Sequence, residues 1–410
     1  MSKIKIYGGK YLSGTVKIHG SKNACLPIMC ASLLNKGKAT IGNVPKIADV
    51  YNLLNIFSYL NVSYTFVDDF LVIDSSKLTY KDLLIAEVLK FRASYYLIGV
   101  FLALFGKCKI YYPGGCKLGE RPLDYHFEAF KAMGYNVNCN ENLIEIDGKL
   151  KNDHINITLK GNSVGATINT VFATIFSNAT IYNYSLEPEV VDTLNFLNKL
   201  GFKIIKNRSI EIFTSIPKRS VKYKIIPDRI EALTYIIMAL LCGNIKLENV
   251  NLLHIDYPIR TLILNNADII MYKNVLCCNK SKVVPFSFDA DLYPKIPTDA
   301  QPLFSILFLF NNGSAIIGDK VFKNRFSAPL ELVHLGARIN TMDNKIITNH
   351  SVFVSGSVKA SDLRACAALF LFAIASPTNT VINNYEIIER GYADFLRNLK
   401  NLGVKYEIIE

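Results

Sequence analysis

Long apolar stretches recur along this chain, and most of them begin with a charged residue. They have the length of a helix and are apolar nearly all round, so they predict helices that are buried on every side. Six such stretches stand roughly 70 residues apart, which indicates six structural repeats. They read KNACLPIMCASLL, RASYYLIGVFLALFG, GATINTVFATIF, RIEALTYIIMALLCG, DAQPLFSILFLFNNG and RACAALFLFAIAS. Their first residues are Lys22, Arg92, Gly165, Arg229, Asp299 and Arg364.

A second marker lies between these stretches, where an amphipathic helix ends and a strand follows. It reads YLNVSY, AMGYNV, KLGFKI, LNNADI, HLGARI and NLGVKY. Its central residue is always Gly or Asn, the two residues that best tolerate the left-handed conformation at a helix C-terminus. The sequence therefore predicts left-handed backbone at Asn61, Gly134, Gly201, Asn266, Gly336 and Gly403.

Each repeat predicts a strand, a buried helix, a strand, an amphipathic helix and further strands, which is a βαβαββ-type unit. Three buried helices can form the interior of one domain, with strands and amphipathic helices outside. The expected fold class is therefore α/β (α+β), a two-lobed inside-out α/β barrel with three repeats in each lobe. We assign residues 1–20 plus 229–410 to lobe I and residues 21–228 to lobe II.

The polar starts of the buried helices are expected to face one shared cleft. Helix N-termini present unpaired N–H groups and the positive ends of helix dipoles. Several of these starts also carry Lys or Arg, which oppose the dipole unless an anion binds nearby. The sequence thus predicts a cleft for a highly anionic, phosphorylated ligand, and the alternative is that these cations merely flank the helices.

Composition narrows the functional classes further. Half of the 410 residues are hydrophobic, as in a well-packed globular protein. The nine cysteines include no C-x-x-C pair and the six histidines are scattered, so neither a disulfide framework nor a zinc site is predicted. The net charge of +12 comes without a contiguous basic run, which disfavours nucleic-acid binding. The cysteine pattern favours the cytoplasm as the compartment. No apolar run reaches the roughly 20 residues that cross a bilayer, so no membrane partner is expected.

The stretch YYPGGCKLGERPLDYH, residues 111–126, places Cys116 directly after two glycines and among charged residues. A buried structural cysteine needs apolar neighbours. A flexible, polar and basic loop instead favours a reactive thiolate. Taken alone, the stretch leaves an inert exposed thiol equally open.

Nine motifs resemble the UDP-N-acetylglucosamine 1-carboxyvinyltransferase family of enolpyruvyl transferases. In order they read GSKNACLPI, FRASYYLIG, PGGCKLGERPLD, NSVGAT, EPEVVDTLNFL, PDRIEALTY, IPTDAQ, ASDLRA and ERGYADFL. The similarity runs from the N-terminus to about residue 405 and is weakest over roughly 250–290. It implies transfer of the enolpyruvyl group of phosphoenolpyruvate to the 3′-hydroxyl of UDP-N-acetylglucosamine, with release of phosphate, at the start of peptidoglycan synthesis. It also implies addition followed by elimination, and neither a metal nor an organic cofactor.

The resemblance assigns the proton-transfer steps to three residues. Cys116 matches the loop cysteine that acts as general acid, forms a covalent adduct with phosphoenolpyruvate and is the target of fosfomycin. Asp299 matches the residue that contacts the 3′-hydroxyl and is proposed as the base, although a carboxylate there can also cap a helix. Asp362 matches a second acidic residue that assists proton transfer, holds Arg364 or caps its helix.

The binding residues follow from the same motifs. Contacts to phosphoenolpyruvate are carried over to Lys22, Asn23, Arg121 and Arg390. Arginine offers bidentate geometry to its phosphate and carboxylate, and lysine offers a point charge. Contacts to UDP-N-acetylglucosamine are carried over to Asn23, Arg92, Arg121, Pro122, Leu123, Asp124, Tyr125, Ser163, Val164, Gly165, Asp299 and Val321. Arg364 is expected to line the same cleft.

Three positions depart from the family pattern. Lys160 lies one position further upstream than the lysine that some members use for the diphosphate, and it is assigned no role. Lys323 stands where glutamate is usual and adds a positive charge beside the predicted cleft. Glu389 replaces the usual aspartate of the last motif and leaves Arg390 in place.

Three alternative functions remain open at this point. The shikimate-pathway enolpyruvyl transferase shares the fold and the chemistry, but the PGGC and ERPLD segments match the cell-wall enzyme. The presence of Cys116 and Asp299 argues against a non-catalytic paralogue that only binds the nucleotide sugar. This alternative stays open because Lys323 departs from the family pattern beside the predicted cleft. A basic nucleic-acid-binding protein would show a steep dependence of affinity on salt.

Overall fold

The computed structural model of the protein describes residues 2–67, 69–114, 123–151 and 154–409. The chain divides into two compact units. Of the described residues, the first unit contains 2–19 and 227–409, and the second contains 20–114 and 123–226. The first unit is thus built from both ends of the chain, and the second from the segment between them.

The α-helices of the described residues follow the predicted order of buried and amphipathic segments. They are α1 (Lys22–Ala31), α2 (Ala48–Tyr59), α3 (Ala86–Lys90), α4 (Tyr96–Phe105), α5 (Asp124–Met133), α6 (Val164–Thr174), α7 (Pro188–Leu200), α8 (Arg229–Cys242), α9 (Asp256–Leu264), α10 (Gln301–Leu309), α11 (Ser327–Glu331), α12 (Leu363–Ala375) and α13 (Phe395–Asn401). Short 3₁₀ helices cover Ser32–Asn35, Arg92–Tyr95, Leu252–His254, Val333–Leu335 and Tyr385–Arg390. Within the described ranges, none of these helices has the length and apolar character that spanning a membrane requires.

Six of these helices correspond to the apolar stretches of the sequence, and nearly all of their residues are buried. In the second unit they are α1, α4 and α6, and α4 contacts both of the others. In the first unit they are α8, α10 and α12, and all three contact one another. The predicted interior of three buried helices in each unit is therefore confirmed.

The strands are short, and burial alternates along most of them because successive side chains point to opposite faces. They are β1 (Lys3–Tyr7), β2 (Leu12–Lys17), β3 (Lys38–Gly42), β4 (Ser63–Val67), β5 (Phe70–Asp74), β6 (Lys107–Tyr111), β7 (Tyr135–Cys139), β8 (Leu143–Gly148), β9 (His154–Thr158), β10 (Asn178–Tyr182), β11 (Lys203–Lys206), β12 (Ile210–Phe213), β13 (Ser220–Lys224), β14 (Gly243–Glu248), β15 (Asp268–Tyr272), β16 (Val275–Asn279), β17 (Phe288–Ala290), β18 (Ser314–Asp319), β19 (Arg338–Met342), β20 (Lys345–Asn349), β21 (Gly356–Lys359), β22 (Asn379–Asn383) and β23 (Lys405–Ile409).

Each unit contains three sheets among its described residues. In the second unit the strand orders are β13-β3-β5-β4, β6-β8-β7 and β11-β12-β10-β9. In the first unit they are β21-β22-β1-β23, β15-β16-β14-β2 and β17-β18-β20-β19. Each four-stranded sheet joins one parallel pair to antiparallel neighbours, such as β9 with β10 and then β12. The N-terminal strands β1 and β2 complete two sheets of the first unit, which explains why both chain ends belong to it.

The predicted left-handed residues are confirmed at all six positions. Their φ angles range from 61° at Asn61 to 110° at Gly134 and Gly201. Each of them follows a helix and turns the chain toward the next strand. The six repeats predicted from these Gly and Asn positions are therefore also repeats of the folded structure.

Candidate active site

In the first unit, the carboxylate of Asp299 lies between two buried guanidinium groups. Its Oδ2 accepts hydrogen bonds from Nε and Nη2 of Arg364, at 3.1 and 3.0 Å. Its Oδ1 lies 2.8 Å from Nη1 of Arg325. The two arginine side chains are 5% and 3% exposed, against 24% for Asp299. Charge-assisted bonds from both sides therefore fix the orientation of this carboxylate while part of it stays accessible.

Arg364 is also held on the side away from Asp299. Its Nη1 lies 3.3 Å from the hydroxyl of Tyr392, which in turn lies 2.8 Å from Oγ1 of Thr234. Burial alone would lower the pKa of Arg364, but the carboxylate of Asp299 and the other neighbours raise it above the ordinary value. Arg364 is therefore a fixed positive charge.

A second chain of contacts links Asp299 to a predicted nucleotide-sugar residue. Nη1 of Arg325 donates to Oγ1 of Thr298 at 3.0 Å, and Thr298 donates to Oδ2 of Asp319. Oδ1 of Asp319 accepts the backbone N–H of Val321 at 2.8 Å. Burial raises the pKa of Asp319, although these hydrogen bonds oppose the rise. The backbone at Val321 is thus held by the same network that positions Asp299.

The two acidic residues predicted at helix starts have different local roles. Helix α10 begins at Gln301 and carries a proline in its first turn, so Asp299 lies in the preceding turn and its side chain does not cap the helix. The N-cap position of this helix is therefore Ala300. Asp362 does cap α12, because its Oδ1 accepts the N–H groups of Arg364 and Ala365 at 2.9 and 3.1 Å. Its contact with Arg364 is thus to the backbone.

Arg390 ends a 3₁₀ helix that packs against α12. The next residue, Gly391, lies so close to Leu363 that an added Cβ would stand 2.3 Å from its Cδ2. The residue after that is Tyr392, which binds the Arg364 guanidinium. The structure thus places the backbone of Arg390 beside the start of α12.

In the second unit, Lys22 is the first residue of α1 and pairs with an acidic residue that the sequence did not single out. Its Nζ lies 2.7 Å from Oδ2 of Asp49, in the first turn of α2. The two side chains are 13% and 3% exposed. The pairing compensates for the burial of both charges. Asn23, the next residue of α1, is half-buried.

The residues Ser163, Val164 and Gly165, predicted to bind the nucleotide sugar, lie at the N-terminus of α6. Ser163 is its N-cap, and the hydroxyl of Ser163 accepts the N–H of Ala166 at 3.2 Å. The backbone of Gly165 is enclosed by two aromatic side chains. A Cβ added there would lie 2.7 Å from the hydroxyl of Tyr95 and 2.9 Å from Nε2 of His126. Only glycine fits this position without a shift of its neighbours.

The predicted segment 123–125 lies next to the loop that leads into α6. Leu123 is buried, Asp124 begins α5, and Tyr125 is 46% exposed. The ring of Tyr125 lies against Gly161, where an added Cβ would be 2.5 Å from a ring carbon. The structure therefore brings these two predicted nucleotide-sugar segments together.

The remaining predicted residues are placed as follows. Arg92 begins a 3₁₀ turn that leads into α4, and its guanidinium carbon lies 5.9 Å from the ring centre of Tyr95. Lys160 forms an exposed ion pair with Glu128 at 2.6 Å, and Lys323 is exposed. The predicted residues Cys116, Arg121 and Pro122 lie outside the described residues.

Several residues of these clusters, including Asp49, Arg325 and His126, were not predicted from the sequence. Asp49 and Arg325 bind predicted site residues, and His126 contacts the α6 N-terminus. Arg325 lies two positions after Lys323, and His126 is the last residue of the stretch around Cys116. Their position beside these residues was therefore the available sequence signal. Nothing in the helix periodicity distinguishes Asp49 from an ordinary acidic residue in a first turn.

Comparison with known proteins shows which family the chain is similar to. The sequence pattern of the EPSP synthase (3-phosphoshikimate 1-carboxyvinyltransferase) family matches residues 6–399. The chain is 36% identical over 415 residues to the UDP-N-acetylglucosamine 1-carboxyvinyltransferase of Buchnera aphidicola subsp. Baizongia pistaciae, with 99% of both chains covered. It is 34% identical over 423 residues to the UDP-N-acetylglucosamine 1-carboxyvinyltransferase 2 of Carboxydothermus hydrogenoformans, again with 99% of both covered.

Solved structures show the same fold at lower sequence identity. The enolpyruvyl transferase NikO from Streptomyces tendae matches 100% of this chain with 99% of its own, at a TM-score of 0.88 and 22% identity. The EPSP synthase from Acinetobacter baumannii matches with a TM-score of 0.74 and 14% identity, and both chains are fully covered. The fold class is thus confirmed as that of the enolpyruvyl transferases. From the family match and the full-length relatives, the chain belongs to the EPSP synthase family and, within it, to the UDP-N-acetylglucosamine 1-carboxyvinyltransferases.

Proposed function

We propose that this chain transfers the enolpyruvyl group of phosphoenolpyruvate to the 3′-hydroxyl of UDP-N-acetylglucosamine and releases phosphate, in the first committed step of peptidoglycan synthesis. The observation that carries the proposal is the full-length similarity, at 34% to 36% identity, to relatives named for this reaction. The 3′-oxygen bonds to C2 of phosphoenolpyruvate while C3 gains a proton. Loss of a proton from C3 and of phosphate from C2 then restores the double bond.

Phosphoenolpyruvate is held by cations in this proposal. Lys22, Arg121 and Arg390 bind its phosphate and carboxylate, and Asn23 supplies a neutral polar contact. The ion pair between Lys22 and Asp49 supports this role, because it holds the ammonium group in a defined position. Arginine can in addition bind either anionic group in a bidentate manner.

The proton transfers are assigned to an acid and a base. Cys116 donates the proton to C3 of phosphoenolpyruvate and also forms the covalent adduct. Asp299 accepts the proton of the 3′-hydroxyl, and its fixed orientation between Arg325 and Arg364 supports this positioning. Asp362 contributes indirectly, because it caps the helix that carries Arg364.

The nucleotide sugar is bound by elements that converge on α6. Backbone N–H groups at Val164 and Gly165, the Ser163 hydroxyl and Arg92 suit the diphosphate, since a helix N-terminus attracts anions. Residues 121–125 complete the nucleotide site, and Val321 contacts the sugar. The reaction belongs to the cytoplasm in this proposal, with two small-molecule substrates and neither a nucleic-acid nor a membrane partner.

Phosphate release from phosphoenolpyruvate tests this function, with UDP-N-acetylglucosamine or shikimate 3-phosphate as the acceptor. Release is expected with the nucleotide sugar and not with shikimate 3-phosphate. Release with shikimate 3-phosphate alone would assign the chain to the other branch of the family. Binding of the nucleotide sugar without phosphate release would instead identify a non-catalytic paralogue.

A further inference from the structure

The side chain of Asp319 is buried and binds two different parts of the candidate site in the first unit. Asp319 is the last residue of β18 and is 2% exposed. Its Oδ1 accepts hydrogen bonds from the backbone N–H groups of Val321 and Phe322, at 2.8 and 2.9 Å. Its Oδ2 accepts a hydrogen bond from the hydroxyl of Thr298, the residue before Asp299. One carboxylate thus serves the segment that carries Val321 with one oxygen and the turn that carries Asp299 with the other.

The hydrogen bonds of Thr298 have a fixed direction. Nη1 of Arg325 lies 3.0 Å from Oγ1 of Thr298, and a guanidinium group can only donate. The hydroxyl of Thr298 therefore accepts from Arg325 and gives its single proton to Asp319. The same Nη1 lies 2.8 Å from Oδ1 of Asp299. The result is a chain of hydrogen bonds from Asp299 to Asp319 that needs an acceptor at its far end.

The backbone of Asp319 is held independently of its side chain. In the pairing of β17 with β18, Asp319 lies opposite Ala290, and the N–H of Lys320 donates to the carbonyl of Ala290 at 2.9 Å. The carbonyl of Asp319 accepts a hydrogen bond from the side-chain amide of Asn344 at 2.8 Å. A substitution at Asp319 should therefore change its side-chain hydrogen bonds and leave the course of the strand intact.

We propose that Asp319 is a positioning residue with two separable roles. Its Oδ1 sets the backbone at Val321 for the nucleotide sugar. Its Oδ2 orients Asp299 toward the 3′-hydroxyl, through Thr298 and Arg325. The inference rests on the proposed function and adds to it a residue that acts through its neighbours. Such positioning accelerates a reaction because the reacting groups are already oriented when the substrate binds.

Asp319→Asn separates the two roles. The amide oxygen can still accept from the N–H groups of Val321 and Phe322, which can only donate. The NH₂ group then faces Thr298, whose hydroxyl already accepts from Arg325, so the proton of Thr298 loses its acceptor. The kcat should fall about 10- to 100-fold, as for loss of a hydrogen bond to a charged group. The KM for UDP-N-acetylglucosamine should change less than about threefold.

Asp319→Ala removes both acceptors and is the matched variant for the role at Val321. Its kcat should fall to about the same extent as in Asp319→Asn. In addition, the KM for UDP-N-acetylglucosamine, and its Kd from isothermal titration calorimetry, should rise about tenfold. A purely structural role would not give this difference, because loss of folded protein lowers the apparent kcat and leaves the KM unchanged. Asp289→Asn, on the neighbouring strand β17, is the control and should leave both kinetic constants unchanged.

Substitutions at Thr298 test the other end of the same hydrogen bond. Thr298→Val keeps the shape of the side chain and removes its hydroxyl, so its kcat should fall as in Asp319→Asn. Thr298→Ser keeps the hydroxyl and should stay within about threefold of the wild type. The double variant Asp319→Asn/Thr298→Val should be no more than about threefold slower than either single variant, because both changes interrupt one chain. The pair of Thr298 variants also decides the matter if Asp319→Asn does not fold.

Near-normal turnover of Asp319→Asn or of Thr298→Val, with an active wild type, would refute the inference. Losses that multiply in the double variant would refute it as well. A KM for the nucleotide sugar that rises equally in Asp319→Asn and Asp319→Ala would show that the two oxygens have no separate roles. A wild type that neither binds nor turns over UDP-N-acetylglucosamine would refute the proposed function instead.

Discussion

Substitution of Asp299 by asparagine should lower the stability of the protein as well as its turnover. The carboxylate is the negative charge between the buried guanidinium groups of Arg325 and Arg364. Asparagine keeps the size of the side chain and one acceptor oxygen. It removes the charge, so the two buried guanidinium groups would lose the carboxylate that they share.

The expected loss of stability follows from the burial of these charged groups. Removing one partner of a buried ion pair costs about 3–5 kcal/mol of the free energy of unfolding. The Asp299 side chain is 24% exposed, and asparagine can still accept a hydrogen bond from one arginine. We therefore expect a smaller loss, of about 2–3 kcal/mol. In a domain of this size that corresponds to a fall in Tm of roughly 4–12 °C.

Urea unfolding followed by far-UV circular dichroism measures this loss, and the method suits a chain without tryptophan. The matched control is Asp289→Asn in the same unit. Asp289 pairs with Lys345 at 3.2 Å, but the two side chains are 31% and 44% exposed. An exposed pair contributes about 0–1 kcal/mol, so the control should unfold nearly as the wild type does.

Kinetic measurements on the same variant test the base role. Turnover of Asp299→Asn should fall roughly 100-fold or more, while the KM for UDP-N-acetylglucosamine stays within about tenfold. A variant as stable as Asp289→Asn would show that the two arginines do not depend on this carboxylate. Near-normal turnover would remove Asp299 from the proton transfers.

Substitutions at three further positions have expected outcomes. Cys116→Asp should remain active and resist fosfomycin, because a carboxyl group can still deliver a proton, whereas Cys116→Ser should lose most turnover in the phosphate-release assay. Gly165→Ala should raise the KM for UDP-N-acetylglucosamine about tenfold, since its Cβ would stand 2.7 Å from the Tyr95 hydroxyl. Burial raises the pKa of Asp192 from 3.8 to about 6 despite the hydrogen bond from Tyr223, so the folded state binds the proton more tightly. Its contribution to stability is therefore full below about pH 4 and lost as the pH rises through 6, and Tm measured against pH should lose this dependence in Asp192→Asn.

The fold was largely predictable because its strongest signals are local. The left-handed residues at the helix ends require Gly or Asn wherever they occur, and all six are found where the pattern placed them. The buried helices are equally evident, because no amphipathic face interrupts their apolar residues. The start of α10 was less predictable, since a turn containing Asp299 precedes the helix.

The contacts within the site were not predictable from the sequence. Asp299 meets Arg364 and Arg325 only because three segments of the first unit converge, and no spacing rule encodes that convergence. The partner of Lys22 is likewise set by how α2 packs near α1. The contact between Nδ1 of His126 and the amide of Asn169 is set by how α5 packs against α6.

The NMR spectrum of the product tests the proposed reaction most directly. The protein is incubated with phosphoenolpyruvate and equal amounts of UDP-N-acetylglucosamine and shikimate 3-phosphate. The proposal predicts two vinyl proton signals from an enol ether on the 3′-oxygen of the nucleotide sugar, with one phosphate released for each. An enol ether on shikimate 3-phosphate, with the nucleotide sugar unchanged, would contradict it.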